Sequence, residues 1–414
     1  MSADLRDRVL GGIVGEEVLE LACRLIKIPS ENPPGDMSEI AGFIEDRLSS
    51  IGVSVERYEP AKGRVNLVAG IGKSGGRELI FNGHMDVVPA GDRSRWDFDP
   101  FLGEVRNGYL LGRGASDMKG GLAGIIYAFE KLVEYEKELE GRLTLVCVPD
   151  EETGGEYGTG YLVFRGIAVG SSVVIAEPTG MDLIDIGQKG ALWMRITVYG
   201  KPIHGSLSPY AGESAVLKAA DLMKELLSIT ELKPEIGEDV KAIIEGSKRI
   251  AEELSGIKGI GRILDHPTIN FGMIRGGTKI NIVPEKCEID VDIRVPVGMT
   301  SDEAAEYVEK IVSKYGGEVS YFARGNANYT RPSSEIVEIA KSNVKRILGV
   351  EPKLFVQWAS SDARFYRGKG VPTIHYGPAE VKVIHGYNEM VRAEDVVKAC
   401  KVYAGIALDY LRSA

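Results

Sequence analysis

The chain has 414 residues, 44% apolar and 27% charged, so two globular domains with ordinary cores are expected. Its net charge of −10 argues against a nucleic-acid partner, which needs a basic face. No apolar run reaches the length of a membrane span, Met1-Ser2-Ala3-Asp4-Leu5-Arg6-Asp7 has no leader pattern, and four scattered cysteines without a CxxC pair fit a reduced, cytoplasmic compartment.

Apolar spacing predicts amphipathic helices over 16–28 and 37–51, joined by the stiff loop Pro29-Ser30-Glu31-Asn32-Pro33-Pro34-Gly35. Strands are expected at 53–57, 66–69 and 78–81. Between the last two, Gly70-Ile71-Gly72-Lys73-Ser74-Gly75 has a dinucleotide-loop spacing, but a strand follows it rather than a helix, so a hairpin turn is expected. A helix over 122–135, a buried strand over 143–148 and another at 172–176 complete an alternating pattern. It implies an α/β fold with a mixed central sheet flanked by helices.

Near Gly187 the pattern changes. A half-exposed strand at 192–199, a helix over 214–229, a charged helix over 238–254 and strands at 268–274 and 288–295 suggest an inserted α+β domain. Helices over 301–315 and 335–348 and a strand at 372–374 mark a return of the first pattern. The expected division is 1–186 with 298–414 for the discontinuous domain and 187–297 for the insert.

Five histidines occur in all. His84, in Gly83-His84-Met85-Asp86-Val87-Val88-Pro89, follows a predicted strand. Either Asp86 holds the second imidazole nitrogen of a metal ligand, or the two make an ordinary loop hydrogen bond. Asp117 sits in the glycine-rich stretch Gly112-Arg113-Gly114-Ala115-Ser116-Asp117-Met118-Lys119-Gly120-Gly121, several residues before the first helical turn expected at Leu122, so capping explains it poorly. Asp150-Glu151-Glu152 ends a buried strand, where three carboxylates repel unless a cation or proton intervenes. Glu177 and His385 also fall at strand ends or adjoining loops, where ligands of open α/β sheets gather. Two imidazoles and several carboxylates suit a pair of divalent cations.

Together, the segments at 83–89, 112–121 and 150–152, with Ala176-Glu177-Pro178-Thr179 and His385-Gly386-Tyr387-Asn388-Glu389, resemble the M20 family of co-catalytic zinc peptidases and deacylases. Within it they are most similar to the acetylornithine deacetylase / succinyl-diaminopimelate desuccinylase branch, over about residues 15–410. The resemblance implies a zinc-exopeptidase-like catalytic domain carrying an inserted lid or dimerisation domain. Asp117 would bridge two metals, Zn²⁺ foremost with Co²⁺ or Mn²⁺ as alternatives; His84 and Glu177 would complete one site, Glu152 and His385 the other. Glu151 would be the general base, Asp86 would orient His84, and the Asp117–Met118 peptide would be cis. His204, in Gly200-Lys201-Pro202-Ile203-His204-Gly205-Ser206, would hold the oxyanion, often in a partner subunit of a homodimer. Asn281 and Arg294 would bind a substrate carboxylate, although Arg294 can equally be a surface residue paired with Asp290 or Asp292.

The implied reaction is removal of the acyl group from an N-acyl amino acid, with a dipeptidase or metallocarboxypeptidase as the rival on the same machinery. Lys189, Arg275 and Lys279 are candidates for a second cationic pocket. The long stretch 230–266, with His266 expected to be structural, departs from compact members, and Ser360-Ser361-Asp362-Ala363-Arg364 resembles a loop near the active site.

Overall fold

The structure, a computed structural model, describes residues 3–412; Met1 and Ser2, which open the stretch read above for a leader, lie outside the described residues, as do Ser413 and Ala414. Among the described residues no helix is long and apolar enough to cross a membrane. The chain forms two compact units: Met1–Ile186, Thr330–Phe355 and Ser361–Ala414 make the first, Gly187–Tyr329 and Val356–Ser360 the second. The return to the first unit comes at Thr330, later than the expected 298. Helix Ser301–Lys314 supplies Ala304, Val308, Ile311 and Val312 to the core of the second unit, and strand Glu318–Arg324 extends its sheet.

The sheet of the first unit runs in the order Val55–Tyr58, Asn66–Gly72, Arg142–Val148, Glu78–His84, Ser172–Ile175, Thr373–His375, Leu183–Gln188. The four strands from Arg142–Val148 to Thr373–His375 are mutually parallel, so their C-terminal ends share one edge. Strand Arg142–Val148 pairs with both Asn66–Gly72 and Glu78–His84. The Gly70–Gly75 stretch is therefore not a hairpin turn: its flanking strands are separated by a third, and Lys73 N–H bonds to the Gly141 carbonyl at 3.1 Å.

The parallel strands are apolar on both faces because both are covered. Val68, Ile80, Val146, Val173 and Ile175 pack with Leu162, Ala363 and Tyr366. On the other side, helix Gly120–Val133 brings Leu122 and Ile125 against Gly83, and Phe81 meets Tyr403 at 6.1 Å. Tyr403 belongs to helix Ala393–Tyr410, which is buried along most of its length. Each such fully buried apolar side chain stabilises the fold by about 1.5–3 kcal/mol.

The second unit has a four-stranded antiparallel sheet, ordered Thr268–Gly276, Lys286–Val295, Gly190–Tyr199, Glu318–Arg324. Period-2 alternation sends Leu192, Met194, Ile196 and Val198 into a core with helices Ala215–Leu226 and Ser301–Lys314, the latter opened by a Thr300–Glu303 capping box. The 230–266 stretch folds as helix Glu238–Ser255 and a short turn, Ile260–Leu264. Buried Lys189 donates to the carbonyls of Ile263 (2.6 Å) and His266 (2.9 Å), and Asp265 takes Lys248 (2.8 Å) and His266 Nδ1 (2.7 Å). Lys189 is thus a pin for this stretch rather than a pocket cation, and Arg275 is bound to Asp290 at 3.1 Å.

Candidate metal centre

His84 ends its strand and is buried. Glu151 and Glu152 form a single turn just past Val148, and Glu177 follows Ile175. Three adjacent parallel strands thus deliver their polar residues to one edge.

Asp117 stands at the middle. Its Oδ1 lies 3.1 Å from His84 Nε2 and its Oδ2 3.1 Å from His385 Nε2. Glu177 Oε1 is 3.9 Å from His84 Nε2, and Glu152 Oε2 is 3.2 Å from His385 Nε2. His84, Asp117 and Glu152 offer donor atoms within 4.8 Å of one another, as do His84, Glu151 and Glu177. Glu152 Oε1 and Glu177 Oε1 are buried without a hydrogen-bond partner, as oxygens meant for a cation would be.

The electrostatics agree. Burial, reinforced by Glu177, pushes Glu151 well above the usual carboxylate range, and burial with Asp117 raises Glu152. Burial raises Glu177 as well. For Asp117 burial works the other way from its two imidazole hydrogen bonds, which prevail and pull it down. Hydrogen bonds to Asp117 and Glu152 push His385 up to about 11. So many acids in so little volume call for added positive charge.

Asp86 does more than the sequence suggested. Its backbone carbonyl holds His84 Nδ1 at 2.8 Å, while its carboxylate is farther, at 3.5 Å. The carboxylate instead accepts the N–H groups of Glu151 and Glu152, each at 3.2 Å, and Asn32 Nδ2 at 2.9 Å. One residue therefore fixes both the imidazole tautomer and the acidic turn.

The Asp117 loop is shaped by Glu389, for which its sequence context suggests no role. Its buried carboxylate accepts the N–H groups of Gly114, Ser116 and Asp117, each at 3.0 Å, and pairs with Arg113 at 2.5 Å. Gly114 has φ +87°, a conformation open to glycine, and a Cβ at Gly121 would collide with the Ala176 carbonyl. The Asp117–Met118 peptide is cis. His385 lies on a loop with its side chain 50% exposed.

The remaining expected site residues belong to the second unit. His204 is exposed, with Nδ1 2.8 Å from Ser206 Oγ, and its loop joins the Asn281 loop through Gly205 N–H to Asn281 O at 2.8 Å. Asn281 is exposed. Arg294 pairs with Asp292 at 2.9 Å and sits over the Trp193 ring, the surface pairing that its sequence context allowed.

Strand ends of a parallel sheet gathering two imidazoles and several buried carboxylates define a metal-dependent hydrolase. Peptidase family M20/M25/M40 matches residues 80–409; the chain belongs to that family and hydrolyses amide bonds. Among solved structures the fold is similar to the M20 family metallo-carboxypeptidase Sso-CP2 of Sulfolobus solfataricus, with TM-score 0.81 and 22% identity over 95% of this chain and 99% of that one. It is similar to the di-peptidase Dug1p of Saccharomyces cerevisiae, with TM-score 0.77 and 17% identity over 100% and 99%. It also matches the Bacillus subtilis YXEP protein, a dinuclear metal binding peptidase, with TM-score 0.69 and 15% identity over 97% and 99%. At these identities the likeness is one of fold.

Proposed function

We propose that the chain is a two-metal amidohydrolase that removes the acyl group from an N-acyl amino acid, in the manner of the acetylornithine deacetylase / succinyl-diaminopimelate desuccinylase branch. The observation that carries the two-metal reading is that each carboxylate oxygen of Asp117 faces a different histidine, and each histidine has a further carboxylate beside it. His84 and Glu177 would hold one cation, Glu152 and His385 the other, with Asp117 available to both. Imidazole nitrogens and carboxylate oxygens suit Zn²⁺ first, then Co²⁺ or Mn²⁺. Such cations, when bound, polarise the scissile carbonyl and acidify a water.

The chain's own groups do the rest. Glu151 takes the proton of the attacking water and returns it to the leaving amine, a role suited to a carboxyl whose burial raises its proton affinity. His204 donates a hydrogen bond to the developing oxyanion. Asn281 and Arg294 hold the substrate carboxylate, Arg294 exchanging Asp292 for it. We place the enzyme in the cytoplasm, in keeping with its four free cysteines, as a homodimer built on the second unit.

A second reading, an exopeptidase acting on dipeptides or peptide C-termini, is favoured by the carboxypeptidase and di-peptidase among the similar folds. The test is hydrolysis of N-acetyl-ornithine, N-succinyl-diaminopimelate, other N-acyl amino acids and dipeptides by chelator-stripped protein, before and after Zn²⁺ or Co²⁺ is added. Metal-restored cleavage of an N-acyl amino acid supports the first reading and cleavage of dipeptides alone the second. Metal uptake without cleavage of any of them overturns both.

A further inference from the structure

Away from the metal ligands, the first unit contains a second polar chain that the reaction does not use. Ser361 Oγ lies 2.8 Å from His375 Nε2, and His375 Nδ1 lies 2.6 Å from Asp185 Oδ2. All three residues are buried. Asp185 accepts, so the His375 proton sits on Nδ1 and Nε2 is left to accept the Ser361 hydroxyl proton. The Ser361 oxygen in turn accepts the Ala363 N–H at 3.3 Å. A serine so enclosed has no room for a substrate; the trio instead fixes the start of helix Ala363–Gly368.

That anchored segment reaches the acidic turn. Arg364 Nη1 donates to the Ser361 carbonyl at 2.8 Å, its Nη2 donates to the Gly154 carbonyl, and its guanidinium stacks on Phe365 at 4.3 Å. Gly154 closes the turn, with its N–H on the Glu151 carbonyl at 3.0 Å. Beside it, Thr159 Oγ1 donates to Asp362 Oδ2 at 2.6 Å, and the Asp362 carboxylate occupies the space that a Cβ at Gly155 would need. At the other end, the Asp86 carboxylate holds the Glu151 and Glu152 N–H groups.

We infer that Asp185, His375, Ser361 and Arg364 form a positioning device that clamps the Glu151–Glu152 turn from its C-terminal side, opposite the Asp86 clamp. This rests on the two-metal reading only in that Glu152 is taken as a ligand and Glu151 as the base. The four are positioning residues; none touches substrate. Their effect falls on the cation held by Glu152 and on the proton transfer by Glu151, while the His84–Glu177 half keeps its own supports.

The test is a Co²⁺ titration of the metal-stripped full-length protein, read by calorimetry and by absorption of the bound ion. It covers the wild type, Arg364→Ala, Arg364→Lys, Ser361→Ala and Ser361→Thr, with thermal unfolding of each metal-free variant. The expected result is that Arg364→Ala and Ser361→Ala weaken one of two binding steps by about 10–100-fold, the usual effect of losing a ligand's supporting shell. The other step is unchanged, kcat falls with little change in KM, and Arg364→Lys and Ser361→Thr recover part of the loss. Two steps of wild-type affinity in both alanine variants would overturn the clamp alone. A parallel fall of both steps with thermal stability would reduce it to general folding support and overturn it too. Fewer than two Co²⁺ on the wild type would remove the two-metal reading and the clamp with it.

Discussion

The two histidines of the centre are held in opposite ways. His84 ends a central parallel strand, is 2% exposed, and is fixed by the backbone of Asp86. His385 has a half-exposed side chain on a loop in which both it and Asn388 have positive φ, +59° and +57°. That loop is fastened from within by the Arg113 guanidinium, which donates to the Gly386 carbonyl at 2.9 Å, and from outside as well. Asp97 N–H donates to Asn388 Oδ1 at 2.7 Å and Asn388 Nδ2 to Asp97 Oδ2 at 2.8 Å, while Tyr387 meets the Trp96 ring at 6.1 Å and the Arg95 guanidinium at 4.2 Å. The end of a central strand places His84 at no added ordering cost, whereas His385 depends on contacts that order a loop, buried ones at Gly386 and Glu389 and outer ones at Tyr387 and Asn388. The difference teaches that two histidines facing one aspartate can be held one by a strand and the other by a loop with several fastenings.

The largest expected effect erases the comparison. In the proposed centre Asp117 belongs to both halves, so Asp117→Ala should leave neither cation and no measurable hydrolysis; a variant that still carries two cations by elemental analysis would show that Asp117 is not shared. Next, Glu151→Ala should lower kcat by about 10²–10⁴-fold with both halves still loaded; metal loss in step with activity would make Glu151 a ligand rather than the base. Asp97→Ala should weaken the His385 half by about 10–100-fold and spare the His84 half. Equal weakening of both in a competition with a coloured chelator would break the distinction between them.

The smallest effect concerns protons. Hydrogen bonds to Asp117 and Glu152 hold His385 near 11, above pH 7, so it is protonated there and, as the proposed ligand, would have to release that proton to bind metal. Its affinity should therefore rise by about tenfold per pH unit for each proton released around neutrality. In the metal-free protein the sign for stability is the reverse. A folded value raised above 6.5 favours folding below about 6.5, and that contribution is lost as pH rises through about 11. A metal titration repeated across pH, with buffers of different ionisation enthalpy, reads the first effect directly.

The gathering of this candidate centre was legible because imidazoles and carboxylates at the ends of apolar strands stand out against their surroundings. His84, Asp117, Glu152, Glu177 and His385 sit at apolar strand ends or glycine-rich turns, and the chain has few other histidines. The supports were harder to see. Asp86 acts through its backbone on the imidazole and through its carboxylate on the turn, which side-chain identity does not reveal. Glu389 lies in the His385–Glu389 segment, yet nothing local marks it as the acceptor for amides some 270 residues earlier. Helix Ala393–Tyr410 is apolar around most of its circumference, which blurs the 3.6-residue stripe that marks a helix in sequence. The Gly70–Gly75 stretch suggests a hairpin in sequence because partner choice between strands is a long-range matter. Nothing in the turn announces that Arg142–Val148 lies between its neighbours.

The Glu389 carboxylate has a consequence for how the protein meets its metal. A loop of successive amides with a left-handed glycine is the kind of concavity that elsewhere receives phosphate. Here the anion is internal: a side chain of the same chain fills the nest and is neutralised by Arg113. The backbone around Asp117 is thereby templated before any ion arrives, so chelation should empty a preformed socket rather than melt it, and reloading should need no refolding of that loop.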